Sequence, residues 1–283
     1  MIFPFRKKQK TRQVSFDTST TLEYRAVAAT DVGCVREINE DHLVFMRPFD
    51  EKIRSSHGCL AMVADGMGGH SSGEIASKMA VDIISRDYFD TEYPILESLE
   101  RAFEKSNKAI FQKASRKASL KGMGTTCTVV ILIGERMFIG HVGDSRAYIL
   151  KEGKIHQLTK DHTYVQHLLD TGKISYKDSL NHPQKNVITQ AMGTKPKLRA
   201  DFHLAELSFE EGDKLLLCSD GLYEYLQSEE LAHILRTRDI SSAAEDMIAL
   251  AKQRGGHDNI SVLIVETLLE NASQSLKKTQ EFN

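Results

Sequence analysis

Four short acidic clusters border apolar, strand-like segments of this 283-residue chain, and their residue types suit metal chemistry. The clusters are Arg36-Glu37-Ile38-Asn39-Glu40-Asp41, Asp65-Gly66-Met67-Gly68-Gly69-His70, Ser219-Asp220-Gly221 and Gly255-Gly256-His257-Asp258-Asn259. A carboxylate beside buried apolar residues is costly unless a positive charge compensates it, and a bound divalent cation is the usual compensation. The clusters therefore predict a metal site if the fold brings them together.

The carboxylates occupy complementary ends of predicted strands. Asp65 follows the predicted strand at 59–64, and Asp220 follows the one at 214–218. Glu40 and Asp41 precede the predicted strand at 42–46, and Asp258 precedes the one at 260–265. Because the end of one antiparallel strand lies beside the start of its neighbour, we expect these groups to converge at one rim of the sheets.

The donor set favours a hard cation and phosphate chemistry. Oxygen ligands without thiolates suit Mg²⁺ or Mn²⁺ better than zinc. Gly66 and Gly221, directly after the aspartates, allow the backbone to turn sharply and approach a ligand, so the Gly66 carbonyl is a further candidate ligand. Two such ions about 3.5–4 Å apart lower the pKa of a bridging water and stabilise in-line attack at phosphorus, and Arg36 offers a bidentate contact to phosphate. These residues predict metal-assisted hydrolysis of a phosphate ester, and they leave a nuclease or phosphodiesterase open.

The elements that must position these groups alternate between strands and helices. Further strands are predicted at 21–29, 125–133, 136–142, 146–150, 154–158 and 202–207, and helices at 75–84, 94–118, 164–169, 228–236 and 242–254. The short connections at 134–135 and 152–153 predict hairpins and hence an antiparallel meander over 125–158. A capping box formed by Ser242 and Glu245 is predicted to begin the last helix.

Two blocks of strands and two pairs of helices predict an α+β fold. We expect a four-layer α-β-β-α sandwich, in which two antiparallel sheets pack face to face and a helix pair covers each outer face. One domain is predicted over 21–268, between a basic and polar flexible arm at 1–20 and a polar tail at 269–283.

The composition is that of an ordinary globular protein, with 41% hydrophobic and 27% charged residues. The formal net charge of −2 gives no electrostatic reason to expect nucleic acid or a membrane surface as a partner. The apolar runs are far shorter than the roughly 18 residues of a membrane span, and the N-terminus lacks the apolar core of a signal peptide. Four cysteines without Cys-x-x-Cys spacing indicate free thiols and a cytoplasmic location.

Six motifs together resemble the type 2C (PPM) serine/threonine protein phosphatases, particularly their bacterial branch. They are Arg36-x-x-Asn39-Glu40-Asp41, Asp65-Gly66-Met67-Gly68-Gly69-His70, Gly124-Thr125-Thr126, Gly143-Asp144-Ser145-Arg146, Ser219-Asp220-Gly221 and Asp258-Asn259-Ile260-Ser261. Each motif alone is weak evidence for the family, but all six in the family's order and spacing over residues 24–266 are very specific evidence. The resemblance implies the same sandwich and the hydrolysis of phosphoserine and phosphothreonine in proteins by an enzyme that opposes a bacterial Ser/Thr kinase. A monomer is expected, since nothing in the sequence argues strongly against one.

The resemblance also implies a role for each site residue. The implied ligands of two Mn²⁺ or Mg²⁺ ions are Glu40 and the Gly66 carbonyl on one ion, Asp220 and Asp258 on the other, and Asp65 between them. Asp41 would orient a metal-bound water, and Arg36 would hold the substrate phosphate. Bacterial members bind a third, weaker ion, for which Asp144 is the matching residue and Asp220 a shared ligand. Residues 161–195 match a variable flap that is suited to substrate selection.

Met67 departs from the eukaryotic pattern of the family, in which a histidine after Asp-Gly serves as general acid. Because methionine cannot donate a proton, the candidates for protonating the leaving group are a metal-bound water, His70 and His162.

Two other functions fit the sequence less well than the phosphatase. A phosphoprotein-binding relative without catalysis would lack a metal ligand, whereas Glu40, Asp65, Asp220 and Asp258 are all present. A metal-dependent nuclease would favour a basic groove with aromatic stacking residues, but the chain has no tryptophan and is slightly acidic. The sequence therefore favours the phosphatase.

Overall fold

The computed structural model describes residues 22–68 and 72–267, which contain eleven β-strands and eight α-helices. The strands are β1 (Tyr24–Asp31), β2 (Asp41–Met46), β3 (Cys59–Met67), β4 (Gly124–Thr125), β5 (Cys127–Ile133), β6 (Arg136–Val142), β7 (Arg146–Lys151), β8 (Lys154–Gln157), β9 (Asp201–Leu204), β10 (Lys214–Cys218) and β11 (Ile260–Thr267). The helices are α1 (Glu51–His57), α2 (Ser72–Phe89), α3 (Ile95–Arg116), α4 (Tyr164–Asp170), α5 (Tyr176–Leu180), α6 (Asp220–Tyr223), α7 (Ser228–Thr237) and α8 (Ile240–Gln253). The predicted arm at 1–20, the predicted tail at 269–283 and His70 lie outside the described residues.

The strands form two antiparallel sheets that pack face to face. The first sheet has the order β1-β11-β10-β7-β8 and the second β2-β3-β5-β6-β9, with β4 paired to the end of β3. Helices α2 and α3 cover the outer face of the second sheet, and α7 and α8 cover that of the first. The predicted α+β sandwich of four layers is confirmed, as are the two helix pairs on opposite faces.

Strand β3 is buried on both faces, which explains its unbroken apolar run. Leu60, Met62 and Ala64 face α2 and α3, whereas the alternate residues Ala61 and Val63 face the first sheet, as the two-residue period of a strand requires. Asp65 follows this apolar run directly, where the strand reaches the rim of the sandwich.

The predicted four-strand meander over 125–158 is wrong. Its two hairpins form as expected, but β5 and β6 belong to the second sheet and β7 and β8 to the first. The connection at 143–145 therefore crosses between the sheets. Gly143 has a φ of +108°, and a Cβ there would lie 2.5 Å from the Cβ of Thr126, so the crossing depends on glycine. The crossing carries Asp144 to the rim.

Replacing Gly143 by Ala is expected to destabilise the fold by about 2–3 kcal/mol, since the new methyl group meets both backbone strain and a close contact. Gly122 is the matched control, because its φ is +82° but nothing lies within 4 Å of an added Cβ. Gly122→Ala should cost only about 1 kcal/mol. Urea denaturation measures both, and equal losses would show that the crossing does not depend on close packing at Gly143.

Two local boundaries also differ from the predictions. The predicted strand at 125–133 is interrupted at Thr126, where the Asp65 N–H donates to the Thr126 hydroxyl at 2.9 Å. The Thr126 N–H still pairs with β3, since it donates to the carbonyl of Asp65 at 2.8 Å. Helix α8 begins at Ile240 rather than Ser242, and Asp239 caps it by accepting from the N–H groups of Ser241 and Ser242 at 3.0 and 3.2 Å. The predicted capping box at Ser242 is therefore wrong, since an aspartate was available three residues earlier.

Candidate metal centre

Strand pairing brings the predicted carboxylates to one rim of the sandwich. Asp41 and Asp65 are direct partners across β2 and β3. Asp220 begins α6 just past β10, whose neighbour β11 starts two residues after Asp258. Ser219 joins the two sheets by donating from its hydroxyl to Asp41 Oδ2 at 2.8 Å. Residues distant in sequence thus meet where both sheets end.

The backbone of Asp65 is held on both sides by the connection between β4 and β5. The Asp65 N–H donates to Thr126 Oγ1 at 2.9 Å, and the Asp65 carbonyl accepts from Thr125 Oγ1 at 2.8 Å. This anchoring fixes the position of Asp65 independently of its carboxylate.

Glu40 and Gly66 lie in close backbone contact at the start of α2. Glu40 Oε1 accepts from the N–H of Gly73 at 3.0 Å, and the Glu40 carbonyl accepts from the N–H of Gly66 at 3.1 Å. A Cβ on Gly66 would lie 2.2 Å from the carbonyl oxygen of Gly73. The expected close approach at Gly66 is therefore present, but the expected sharp turn is not, because Gly66 lies inside β3.

Asn259 pins the loop that carries Arg36 and Glu40. Its buried side chain donates to the carbonyls of Val32 and Ile38, both at 3.0 Å, and accepts from the Glu40 N–H at 2.8 Å. The guanidinium of Arg36, which is about half exposed, reaches Asp258 Oδ2 at 2.7 Å. Arg36 can therefore face a ligand while it stays beside the carboxylates.

Sequence reasoning assigned no individual role to three polar residues that hold these carboxylates, namely Ser219, Thr126 and Asn259. Each lies beside an acidic residue of the rim or contacts one directly. The signal that could have found them is a polar side chain at the edge of an otherwise apolar strand, since buried polar atoms almost always have hydrogen-bond partners.

The crowded carboxylates raise one another's pKa. Burial and then the charges of Asp41, Asp220, Asp144 and Asp258 raise the pKa of Asp65 well above its ordinary value, and burial followed by the charge of Asp144 does the same for Asp220. Burial raises the pKa of Asp41 to about 6. Burial and the charge of Asp161 raise the pKa of Asp144 to about 7. The cluster therefore favours either protonation or a compensating cation.

Several buried oxygens of the cluster fit a cation. Asp41 Oδ1, Asp144 Oδ1 and Asp220 Oδ1 are buried and have no hydrogen-bond partner among the described residues, an arrangement that is costly without a compensating ligand. No group of three or more His, Cys, Asp or Glu in the described segments is already arranged as a complete metal site. Mg²⁺ does not require a complete set of protein ligands, since it usually binds one or two carboxylates and keeps several waters. The three unpaired carboxylate oxygens therefore indicate a site for hard divalent ions.

His162 has no free ring nitrogen to offer to a leaving group. Its Nδ1 accepts from the Gly143 N–H at 3.3 Å, and its Nε2 lies 3.1 Å from Asp201 Oδ2. Of the two histidines considered as general acid, His162 is thus committed to other contacts, and His70 lies outside the described residues.

Comparisons with known proteins agree on one family. A family model described as "Protein phosphatase 2C" matches residues 37–260. The serine/threonine phosphatase stp of Listeria innocua is 39% identical over 243 residues, which cover 84% of this chain and 93% of that protein.

Two solved structures are similar over nearly the same region. The Staphylococcus aureus phosphatase Stp1 superposes with a TM-score of 0.78 at 32% identity, covering 92% of this chain and all of that one. The catalytic domain of the phosphatase PstP, solved with two manganese ions, superposes with a TM-score of 0.75 at 32% identity, covering 88% of this chain and all of that one. None of the helices in residues 22–68 and 72–267 combines the length and the apolar character that a membrane span needs.

Proposed function

Since this chain belongs to the protein phosphatase 2C family, we propose that its rim of carboxylates is the centre at which it removes phosphate from proteins. The chain is a metal-dependent serine/threonine protein phosphatase, as the motifs predicted. The observation that carries the assignment of the centre is the set of three orphaned, buried carboxylate oxygens on Asp41, Asp144 and Asp220.

The proposed division of roles follows the placement of each residue. The proposed ligands are Glu40, Asp65, the Gly66 carbonyl, Asp220 and Asp258. When bound, two divalent ions would activate a water and stabilise the charge that develops at phosphorus. Asp41 is proposed to orient the attacking water with Oδ1, because Ser219 already occupies its Oδ2. Arg36 is proposed to bind the phosphate through its exposed guanidinium.

We propose Mn²⁺ or Mg²⁺ as the natural ions and a third, weaker site at Asp144. The choice of ions is supported by the manganese in the PstP structure and by a donor set made only of oxygen. The third site is supported by the position of Asp144, whose Oδ1 has no hydrogen-bond partner among the described residues. Asp144 lies on the crossing between the sheets, close enough to Asp220 to raise the pKa of that carboxyl. Asp220 is the proposed shared ligand.

We also propose the biological setting. Phosphoprotein substrates require a Ser/Thr kinase that makes them, so a cognate bacterial kinase is the expected functional partner. A monomer suffices, because every proposed ligand comes from one chain, and residues 21–268 are proposed as its single domain with a flap at 161–195. The cytoplasm is the proposed location, supported by four cysteines that are all unpaired.

The test is phosphate release from a phosphothreonine peptide by the purified protein. We expect release with Mn²⁺ or Mg²⁺ and none with EDTA, because the carboxylates alone supply neither an activated water nor positive charge. Absence of release with either metal, from folded protein that binds metal by calorimetry, would contradict the proposed function and favour a phosphoprotein-binding role.

A further inference from the structure

A groove of about 810 Å³ lies beside the proposed metal centre. One wall is formed by residues 160–163 and the adjoining helix α4, and the other by residues 189–191 and 194–199. Many of the lining residues belong to the proposed flap at 161–195, for which no ligand has been named above.

The wall at 189–199 is connected to the metal centre through β4. Thr125 and Met192 exchange two backbone hydrogen bonds of 3.0 and 2.9 Å, and Thr125 is the partner of Gly66 across β4 and β3. A Cβ on Gly124 would lie 2.7 Å from Thr194 Cγ2. Because adjacent strands lie about 4.8 Å apart, the nearest point of this wall, at Met192, is two strand spacings, or roughly 10 Å, from Gly66.

The opposite wall is connected to the centre through the crossing between the sheets. The His162 N–H donates to the Gly143 carbonyl at 2.7 Å, directly before Asp144. Asp161 is held by Arg146 at 2.6 Å, and the guanidinium of Arg146 stacks on Tyr223 at 3.6 Å. Both walls are therefore fixed to the elements that carry the proposed ligands.

The charges in the groove are distributed unequally. Each acidic residue that lines it has a partner: Asp161 pairs with Arg146, Asp170 with Lys160, and Asp201 with His162. The cations at the other wall, Lys195, Lys197 and Arg199, are exposed, and no ion pair among residues 22–68 and 72–267 includes them. Their positive charge is therefore available to a ligand.

We propose that this groove binds an acidic segment of the phosphoprotein substrate, three or more residues from the phosphorylated side chain. The inference rests on the proposed function of the neighbouring centre. An extended peptide advances about 3.3 Å per residue, so roughly three residues bridge the 10 Å between Gly66 and the groove. Aspartate or glutamate side chains that enter the groove from there would meet the exposed cations that line it, Lys195, Lys197 and Arg199. The groove thus selects substrates by charge outside the metal centre.

The test compares two phosphothreonine peptides that differ only in residues three to five positions from the phosphate, which are Glu in one peptide and Lys in the other. We expect kcat/KM to be about five- to tenfold higher for the Glu peptide, mainly through KM, because exposed ion pairs add modest binding energy. The preference should shrink as salt is raised. In Lys197→Glu/Arg199→Glu it should vanish or reverse, while hydrolysis of p-nitrophenyl phosphate stays unchanged.

The matched control is Lys52→Glu/Lys154→Glu, which makes the same charge change on α1 and β8, away from the rim. An equal kcat/KM for both peptides, or equal loss of preference in the control, would overturn the proposal. Binding of the unphosphorylated Glu peptide by fluorescence polarisation is measured in parallel, so the groove is tested even if nothing is hydrolysed. An oligonucleotide that binds where the Glu peptide does not would also overturn it.

Discussion

Asp65→Asn is expected to lower Mn²⁺-dependent turnover on the order of 10³-fold and to weaken metal binding. Asparagine keeps the size of the side chain but removes the charge proposed to lie between two ions, and metal stabilisation of the transition state is worth several kcal/mol. The backbone bonds from Asp65 to Thr125 and Thr126 do not involve the carboxylate, so the fold should survive. Steady-state kinetics and calorimetric titration with Mn²⁺ measure the two losses separately.

Asp144→Ala provides the contrast, because Asp144 is proposed to serve only the accessory site. Its effect on turnover and on the tighter metal binding should be milder than that of Asp65→Asn. An Asp65→Asn enzyme with normal Mn²⁺-dependent turnover would contradict the proposed centre. If Asp144→Ala abolished all metal binding, the separation of core and accessory sites would be wrong.

The second large effect concerns folding stability. Without metal, the folded state should become less stable as the pH rises above neutral, and bound metal should prevent that loss. The pKa of Asp144 is raised to about 7 by burial and by Asp161, and the pKa values of Asp65 and Asp220 are also raised well above the ordinary value by burial and by their acidic neighbours. The folded state therefore keeps protons that the unfolded state has lost, so stability should fall as pH rises through the folded pKa values. We expect a lower thermal midpoint in EDTA at a pH of about 8 than at about 6.8.

Mn²⁺ should remove this loss. A metal at 1,000 times its dissociation constant stabilises the folded state by about 4 kcal/mol, or about 8–16 °C for a domain of this size. Burial and the neighbouring His162 lower the pKa of His141 to about 3, which acts in the opposite direction, but only below the ordinary histidine pKa of about 6.5. Thermal melts in EDTA and Mn²⁺ measure the effect, with Asp144→Asn as the variant expected to have a flatter pH dependence in EDTA. A midpoint that rises with pH in EDTA would contradict the prediction.

Much of the fold could be predicted from local patterns. The apolar run at 59–64 predicted a buried strand, and the stripe that begins at Ile75 predicted helix α2, because burial imposes a period of two on a strand and of 3.6 on a helix. The acidic residues at the ends of strands predicted a common rim, since antiparallel pairing places ends beside starts. The strand and the helix can be inferred from local hydrophobic periodicity, and the common rim from the geometry of antiparallel pairing.

Only the tertiary structure shows how elements that are distant in sequence are arranged relative to one another. A short hairpin connection specifies that two strands pair but not which sheet they join, so the crossing at 143–145 was not visible in the sequence. The same holds for Asn259, whose three hydrogen bonds reach residues more than 200 positions away. The groove likewise exists only because residues near 160 and near 195 are both tied to the rim. Residue types and local periodicity thus determined the elements and the chemistry of this protein, whereas non-local packing determined which sheet each hairpin joins and which surfaces face one another.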